Sequence, residues 1–161
     1  KLGLIDSADT KLHGAQATGS SPITTAVKQE TDVIKPVKPK TIAQSIAIGN
    51  AADGYYSVKS INVSGGGAED ATDEELVDGI KLLARTEGIF TETAGGVTVA
   101  VTKKLIEQGK IPKDESIVIS VTGNGLKTQE AVLDKLEVPK IINPSLSEFV
   151  ALMEEKMAAV H

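Results

Sequence analysis

The chain is 161 residues long, with 17 basic and 22 acidic residues and a formal net charge of −5. That length suits one domain or most of one, and the acidic balance leaves no basic surplus to neutralise nucleic-acid phosphates. Without cysteine there is no disulfide framework or thiolate metal site; two histidines, His13 and His161, cannot build a His-rich centre, and no apolar run nears the ~20 residues of a membrane span.

In chain order, Lys1-Leu2-Gly3-Leu4-Ile5-Asp6 lacks an initiator Met and a signal peptide. It reads as the tail of a helix capped by Gly3, so the chain is expected to be a piece of something longer. Residues 12–18 predict a short strand. Gly19 to Pro22 read as a loop and helix start, with Pro22 near the first helical position and a helix over 23–30. Lys35-Pro36-Val37-Lys38-Pro39-Lys40 is a connector, because two prolines forbid a helix or a central strand. Its lysines are diluted by Glu30 and Asp32 and read as solvated. Gly49-Asn50-Ala51-Ala52-Asp53-Gly54 is a turn cluster, and Asp53 is expected to cap a helix over 54–63.

Gly65-Gly66-Gly67 predicts a turn and 68–71 a short strand. Thr72-Asp73-Glu74-Glu75 is a capping-box sequence, followed by Leu76, Ile80, Leu83 and Ala84 on one helical face and by Gly88 as the stop. Thr93 to Gly96 open another helix, with Val97, Val101 and Leu105 as its stripe and Gly109 at its end. Residues 116–121, Ser-Ile-Val-Ile-Ser-Val, predict a strand buried on both faces. A helix over 128–136, a short strand near 140–142 and a second capping box, Ser145 to Glu148, complete the chain. In the last helix Leu146, Phe149, Val150, Met153 and Met157 form a stripe expected to pack in the core or an interface. Alternating strands and helices predict a three-layer α/β fold with a mostly parallel sheet. The four aromatic residues, Tyr55, Tyr56, Phe90 and Phe149, leave an aliphatic core and weaken a base-stacking reading.

Three segments carry chemistry. Val121-Thr122-Gly123-Asn124-Gly125-Leu126-Lys127 follows the predicted apolar strand, and ligands of open α/β sheets sit beyond the carboxyl ends of strands. The two glycines admit a ligand close to the backbone, though a tight strand-to-helix turn uses them equally well. Neither a nucleotide P-loop nor a dinucleotide fingerprint is present. In Gly88-Ile89-Phe90-Thr91-Glu92-Thr93-Ala94-Gly95-Gly96, Glu92 precedes a helix start. It either complements the helix dipole or faces a cofactor beside free amides. In Ser45-Ile46-Ala47-Ile48-Gly49-Asn50, small residues and a turn permit a flat ligand, or are loop chemistry alone.

Together these segments resemble threonine synthase, a pyridoxal-phosphate enzyme of the tryptophan-synthase-β-like superfamily (fold type II). The matching stretches are Thr41 to Gly54, Glu87 to Gly96 and Val121 to Thr128, with Gly14 to Gly19 and Ser21-Pro22-Ile23 also similar. The resemblance implies conversion of O-phospho-L-homoserine and water to L-threonine and phosphate. Residues 1–40 would be a segment crossing from a preceding half plus a linker, and 41–161 the carboxyl-terminal part of the large cofactor-binding domain. It further implies that Thr122 sets its hydroxyl against the pyridine nitrogen, with Glu92, Ala47 and Gly123 near the ring. A homodimeric, cytoplasmic enzyme acting on a small amino-acid phosphate is expected, with no nucleic-acid or membrane partner. Cysteate synthase, a serine/threonine dehydratase, or a non-catalytic module of the same fold remain alternatives.

A hydroxyl is a poor acid that can donate to an unprotonated pyridine nitrogen, whereas a carboxylate there favours the protonated ring. Thr122 therefore suggests a moderated electron sink, better suited to elimination and replacement than to transamination. The family's Schiff-base lysine and its phosphate loop have no match in this sequence. Lys59 and Lys127 stand in other contexts and read as surface lysines. No catalytic residue is therefore assigned in this chain, and the polypeptide alone is expected to be inert.

Overall fold

The computed structural model of the chain describes residues 3, 4, 6, 9–136 and 139–158. The expected helix tail at Lys1-Leu2, and His161, lie outside the described residues. Gly3 itself has φ +67°.

Two short strands, β1 (Gly14–Ala17) and β2 (Ala68–Ala71), pair in parallel, Gly14 with Ala68 through Ala17 with Ala71. Parallel strands need a long crossover. Here it holds helix α1 (Pro22–Lys28), the proline connector, a 3₁₀ turn at Gln44–Ile46 and helix α2 (Gly54–Val63). Pro22 sits at the helix start, where its missing N–H costs nothing. Asp53 occupies the cap position of α2, yet its carboxylate makes no capping bond; its carbonyl instead accepts from the Ser57 amide at 2.9 Å and hydroxyl at 3.0 Å. The connector at 35–40 divides elements that share one sheet, since β1 before it pairs with β2 after it.

Helix α3 (Asp73–Glu87) forms the predicted capping box: Glu75 N donates to Thr72 Oγ1 at 3.2 Å, and Thr72 N donates to Glu75 Oε2 at 2.8 Å. It stops at Gly88, whose φ of +68° suits a residue without Cβ. Its buried side chains are Leu76, Val77 and Ile80, while Leu83 and Ala84 are only half-buried. Helix α4 (Thr93–Glu107) buries Val97, Val101 and Leu105 as expected. Helix α1, with α2 behind it, and α4, with α3 behind it, cover the sheet. The two long helices meet at glycines: a Cβ on Gly79 would lie 2.4 Å from Gly96 O, and one on Gly96 2.4 Å from Leu76 O.

Five expectations fail beyond residue 115. Residues 116–121 are extended but form no strand, and Val118 is 96% exposed. A buried strand needs ladder partners as well as apolar side chains. Among the described residues the one hydrogen bond to this backbone is Thr98 Oγ1 to Ser120 O, 3.0 Å. Residues 140–142 likewise form no strand, and the helix expected over 128–136 shrinks to α5 (Glu130–Leu133). Helix α6 (Leu146–Ala158) forms, but its apolar stripe is exposed throughout and is not core. No capping box forms at Ser145: Glu148 instead accepts from the Asn143 amide and side chain, at 3.0 and 2.9 Å.

A buried carboxylate staples the other end of the sheet. Glu69 of β2 pairs with Lys28 and lies 3.7 Å from Lys110 Nζ; it accepts from Gln108 Nε2 at 3.1 Å and from the Asp70 amide at 3.0 Å. Burial alone pushes the Glu69 carboxyl up, but the Lys28, Asp70 and Gln108 donors outweigh it and hold it near 2. A carboxyl depressed in the fold adds stability above its ordinary value of 4.5, and that stability fades as pH falls toward 2. Glu69→Gln should therefore lower the thermal midpoint at neutral pH and flatten its decline between pH 4.5 and about 2. Gly96→Ala gains up to about 1 kcal/mol of helix propensity. Its methyl meets a backbone oxygen that cannot move alone, so urea unfolding should show a net loss of about 2 kcal/mol.

Candidate functional site

The site forms where two segments thirty residues apart are laced together. Glu92 N donates to Gly123 O at 3.0 Å and Gly125 N to Phe90 O at 2.9 Å, either side of an antiparallel bridge between Thr91 and Asn124. Thr91 Oγ1 adds a bond to Gly123 O at 3.2 Å, and Thr93 N donates to Thr128 Oγ1 at 3.1 Å. The Asn124 side chain accepts from Leu126 N at 2.9 Å and starts a 3₁₀ turn, Gly125–Lys127.

This lacing sets Thr122 and Gly123 against Glu92, the residue that caps α4 by position. The Glu92 side chain is buried, and it does not cap the helix by its carboxylate. Oε1 lies 3.4 Å from Thr122 Oγ1, a long bond in which the threonine donates. Oε2 lies 2.7 Å from Lys127 Nζ, the ammonium of a side chain that is otherwise 61% exposed. Gly123 makes room for the carboxylate: a Cβ there would fall 2.1 Å from Oε1. At the first turn of α4 the Thr93 hydroxyl is buried without a hydrogen-bond partner among the described residues.

Of the four residues singled out from sequence, the structure brings Thr122, Gly123 and Glu92 together. Ala47 is half-buried at the end of the turn Gln44–Ile46, which packs on α4. No hydrogen bond among the described residues joins it to the other three. The close approach permitted by Gly49 is taken by the chain itself, since Val37 N donates to Gly49 O at 3.0 Å and a Cβ at 49 would strike Val37 O. Lys59 lies over the Tyr55 ring, 6.0 Å from its centre. Lys127 is the functional candidate that sequence reasoning passed over. Its exposure matches the surface reading, but its ammonium ends on the buried carboxylate.

The donor set can be tested against a pyridine-type cofactor. Thr122 is exposed, its hydroxyl is committed only to a long bond, and it is uncharged, as an unprotonated ring nitrogen requires. The adjacent carboxylate is neutralised by Lys127 rather than left to attract a proton onto the ring. These residues fit such a ring edge. No described helix is long and apolar enough to cross a membrane, and no metal-ligating cluster occurs among the described residues.

Comparison with known proteins agrees with this chemistry. Residues 2–123 match the pyridoxal-phosphate dependent enzyme family, and the chain belongs to it. Within it, the chain is 42% identical over 154 residues to threonine synthase of Methanocaldococcus jannaschii, covering 95% of this chain and 38% of that protein. Threonine synthase of Methanosarcina acetivorans is 40% identical over 146 residues, covering 90% and 36%. The chain thus spans under two-fifths of the length of these two relatives. Maize serine racemase shares the fold, with a TM-score of 0.59 at 14% identity over 78% of this chain and 40% of that one. The family's cofactor is pyridoxal phosphate, and the fold is that of the fold type II enzymes.

Gly123→Ala should destabilise the chain by about 1–3 kcal/mol in urea unfolding, because its methyl displaces a buried carboxylate. In a Glu92→Ala background the same change should cost at least about 1 kcal/mol less, a coupling read from a double-mutant cycle.

Proposed function

We propose that this chain is a portion of a threonine synthase, a cytoplasmic, homodimeric biosynthetic lyase that converts O-phospho-L-homoserine and water to L-threonine and phosphate. The observation that carries the reading is the lacing of Thr122 and Gly123 onto Glu92, in a chain 42% identical to a threonine synthase across nearly its whole length. In this reading residues 41–161 belong to the large cofactor-binding domain, with 1–40 leading into it. The Thr122 hydroxyl donates to the ring nitrogen of the cofactor, Gly123 and Glu92 flank the ring edge, and Ala47 lies near the ring. Pyridoxal phosphate, once bound, supplies the electron sink that lets the phosphate leave and water add. This chain's part is to orient the ring and to keep its nitrogen unprotonated, which moderates the sink in favour of elimination and replacement over transamination.

The chain contains neither the family's Schiff-base lysine motif nor its phosphate loop. We infer that the polypeptide alone binds pyridoxal phosphate weakly and does not turn over. Borohydride reduction of the chain mixed with the cofactor should leave no single lysine stoichiometrically modified in a peptide-mass map; capture at one specific lysine overturns this. The longer protein that carries the sequence should release phosphate from O-phospho-L-homoserine. Inactivity there, together with turnover of another β- or γ-substituted amino acid, replaces the substrate while keeping the chemistry.

A further inference from the structure

Lys127 carries a role beyond pairing on a surface. A threonine hydroxyl has one proton to donate. At residue 122 that proton has two possible acceptors: Glu92 Oε1, already 3.4 Å away, and the ring nitrogen of the proposed ligand. Which of them receives it depends on how well the carboxylate is satisfied elsewhere. Glu92 is buried, and a buried carboxylate without a counter-ion costs several kcal/mol. The Lys127 ammonium, 2.7 Å from Oε2, is the cation that meets this need by charge, although Oε2 accepts no directed hydrogen bond among the described residues. It stands on the turn Gly125–Lys127, fixed by the same lacing that presents Thr122. Gly123, by lacking a Cβ, lets the carboxylate lie between the two.

Resting on the reading that Thr122 faces the cofactor, we propose that Lys127 is a positioning residue of this site. It holds the Glu92 carboxylate and so frees the Thr122 hydroxyl to donate to the ligand. Removing the ammonium leaves Glu92 to recruit the nearest donor. The 3.4 Å bond then tightens, and the hydroxyl turns away from the ring. Arginine keeps the charge and restores the arrangement in part, whereas methionine keeps only the length of the side chain.

The test compares the longer protein that carries this sequence with its Lys127→Met, Lys127→Arg and Thr122→Val variants. Without ligand, the ¹³C resonances of the Glu92 carboxyl and the Thr122 Cβ should move together in K127M and return toward the parent in K127R. Resonances unchanged in K127M overturn the proposal, whether or not ligand binds. With pyridoxal phosphate labelled with ¹⁵N in its ring as the probe, K127M should weaken binding about threefold to tenfold, the range of one lost hydrogen bond, and shift the ring nitrogen signal. T122V should do the same, and K127R less. If T122V alters neither affinity nor the nitrogen signal, the reading of Thr122 as the ring donor fails. If T122V alters both while K127M leaves both at parental values, that reading stands and the role given to Lys127 is overturned.

Discussion

The site depends on the hydrogen-bonded seam between Phe90–Thr93 and Gly123–Thr128. Four bonds, two from backbone amides to carbonyls and two involving threonine hydroxyls, fasten a segment that has little else to hold it. Residues 116–121 approach it with their backbone almost unpaired. The seam fastens to the start of α4, and α4 in turn is locked to α3 through Gly79 and Gly96 and packed over the two strands. Rigidity at Thr122 is therefore borrowed from the helix pair. Anchoring a turn residue to a packed scaffold is how loops acquire defined geometry.

Two buried carboxylates show how differently the fold uses the same group. Glu69 is surrounded by donors, with Lys28, Lys110, Gln108 and the Asp70 amide all converging on it. Its charge joins α1, β2 and the end of α4, and its carboxyl is held near 2. Glu92 has one close cation and one distant hydroxyl. It sits at the amino end of a helix without capping it, although a carboxylate there gains from the helix dipole. A saturated carboxylate can only stabilise. One with an incompletely used oxygen beside an exposed hydroxyl can tune what that hydroxyl does.

What the sequence revealed was mostly local. The capping box at Thr72 and Glu75, the stop at Gly88 and the stripe of α4 are set within a turn or two of helix, so spacing alone exposes them. The parallel pair β1 and β2 was legible as two short runs flanked by turn residues. Residues 116–121 were misread because an apolar run says what can be buried, while pairing depends on what lies beside it. The α6 stripe is the same case: amphipathy identified the helix but not a partner for its face. Asp53 and Ser145 have the right residue types for caps, but the bonds require a backbone approach that composition does not encode. Thr122, Gly123 and Glu92 were found because resemblance linked segments that spacing could not. Lys127 was missed because an exposed stem hid an ammonium aimed inward.

The most direct test of Thr122 as the ring-nitrogen donor is a crystal structure of the longer protein that carries this sequence, with pyridoxal phosphate bound. The hydroxyl should stand about 2.7–3.2 Å from the ring nitrogen, with Glu92 still paired to Lys127. A ring bound elsewhere, or one whose nitrogen faces the Glu92 carboxylate instead, contradicts it.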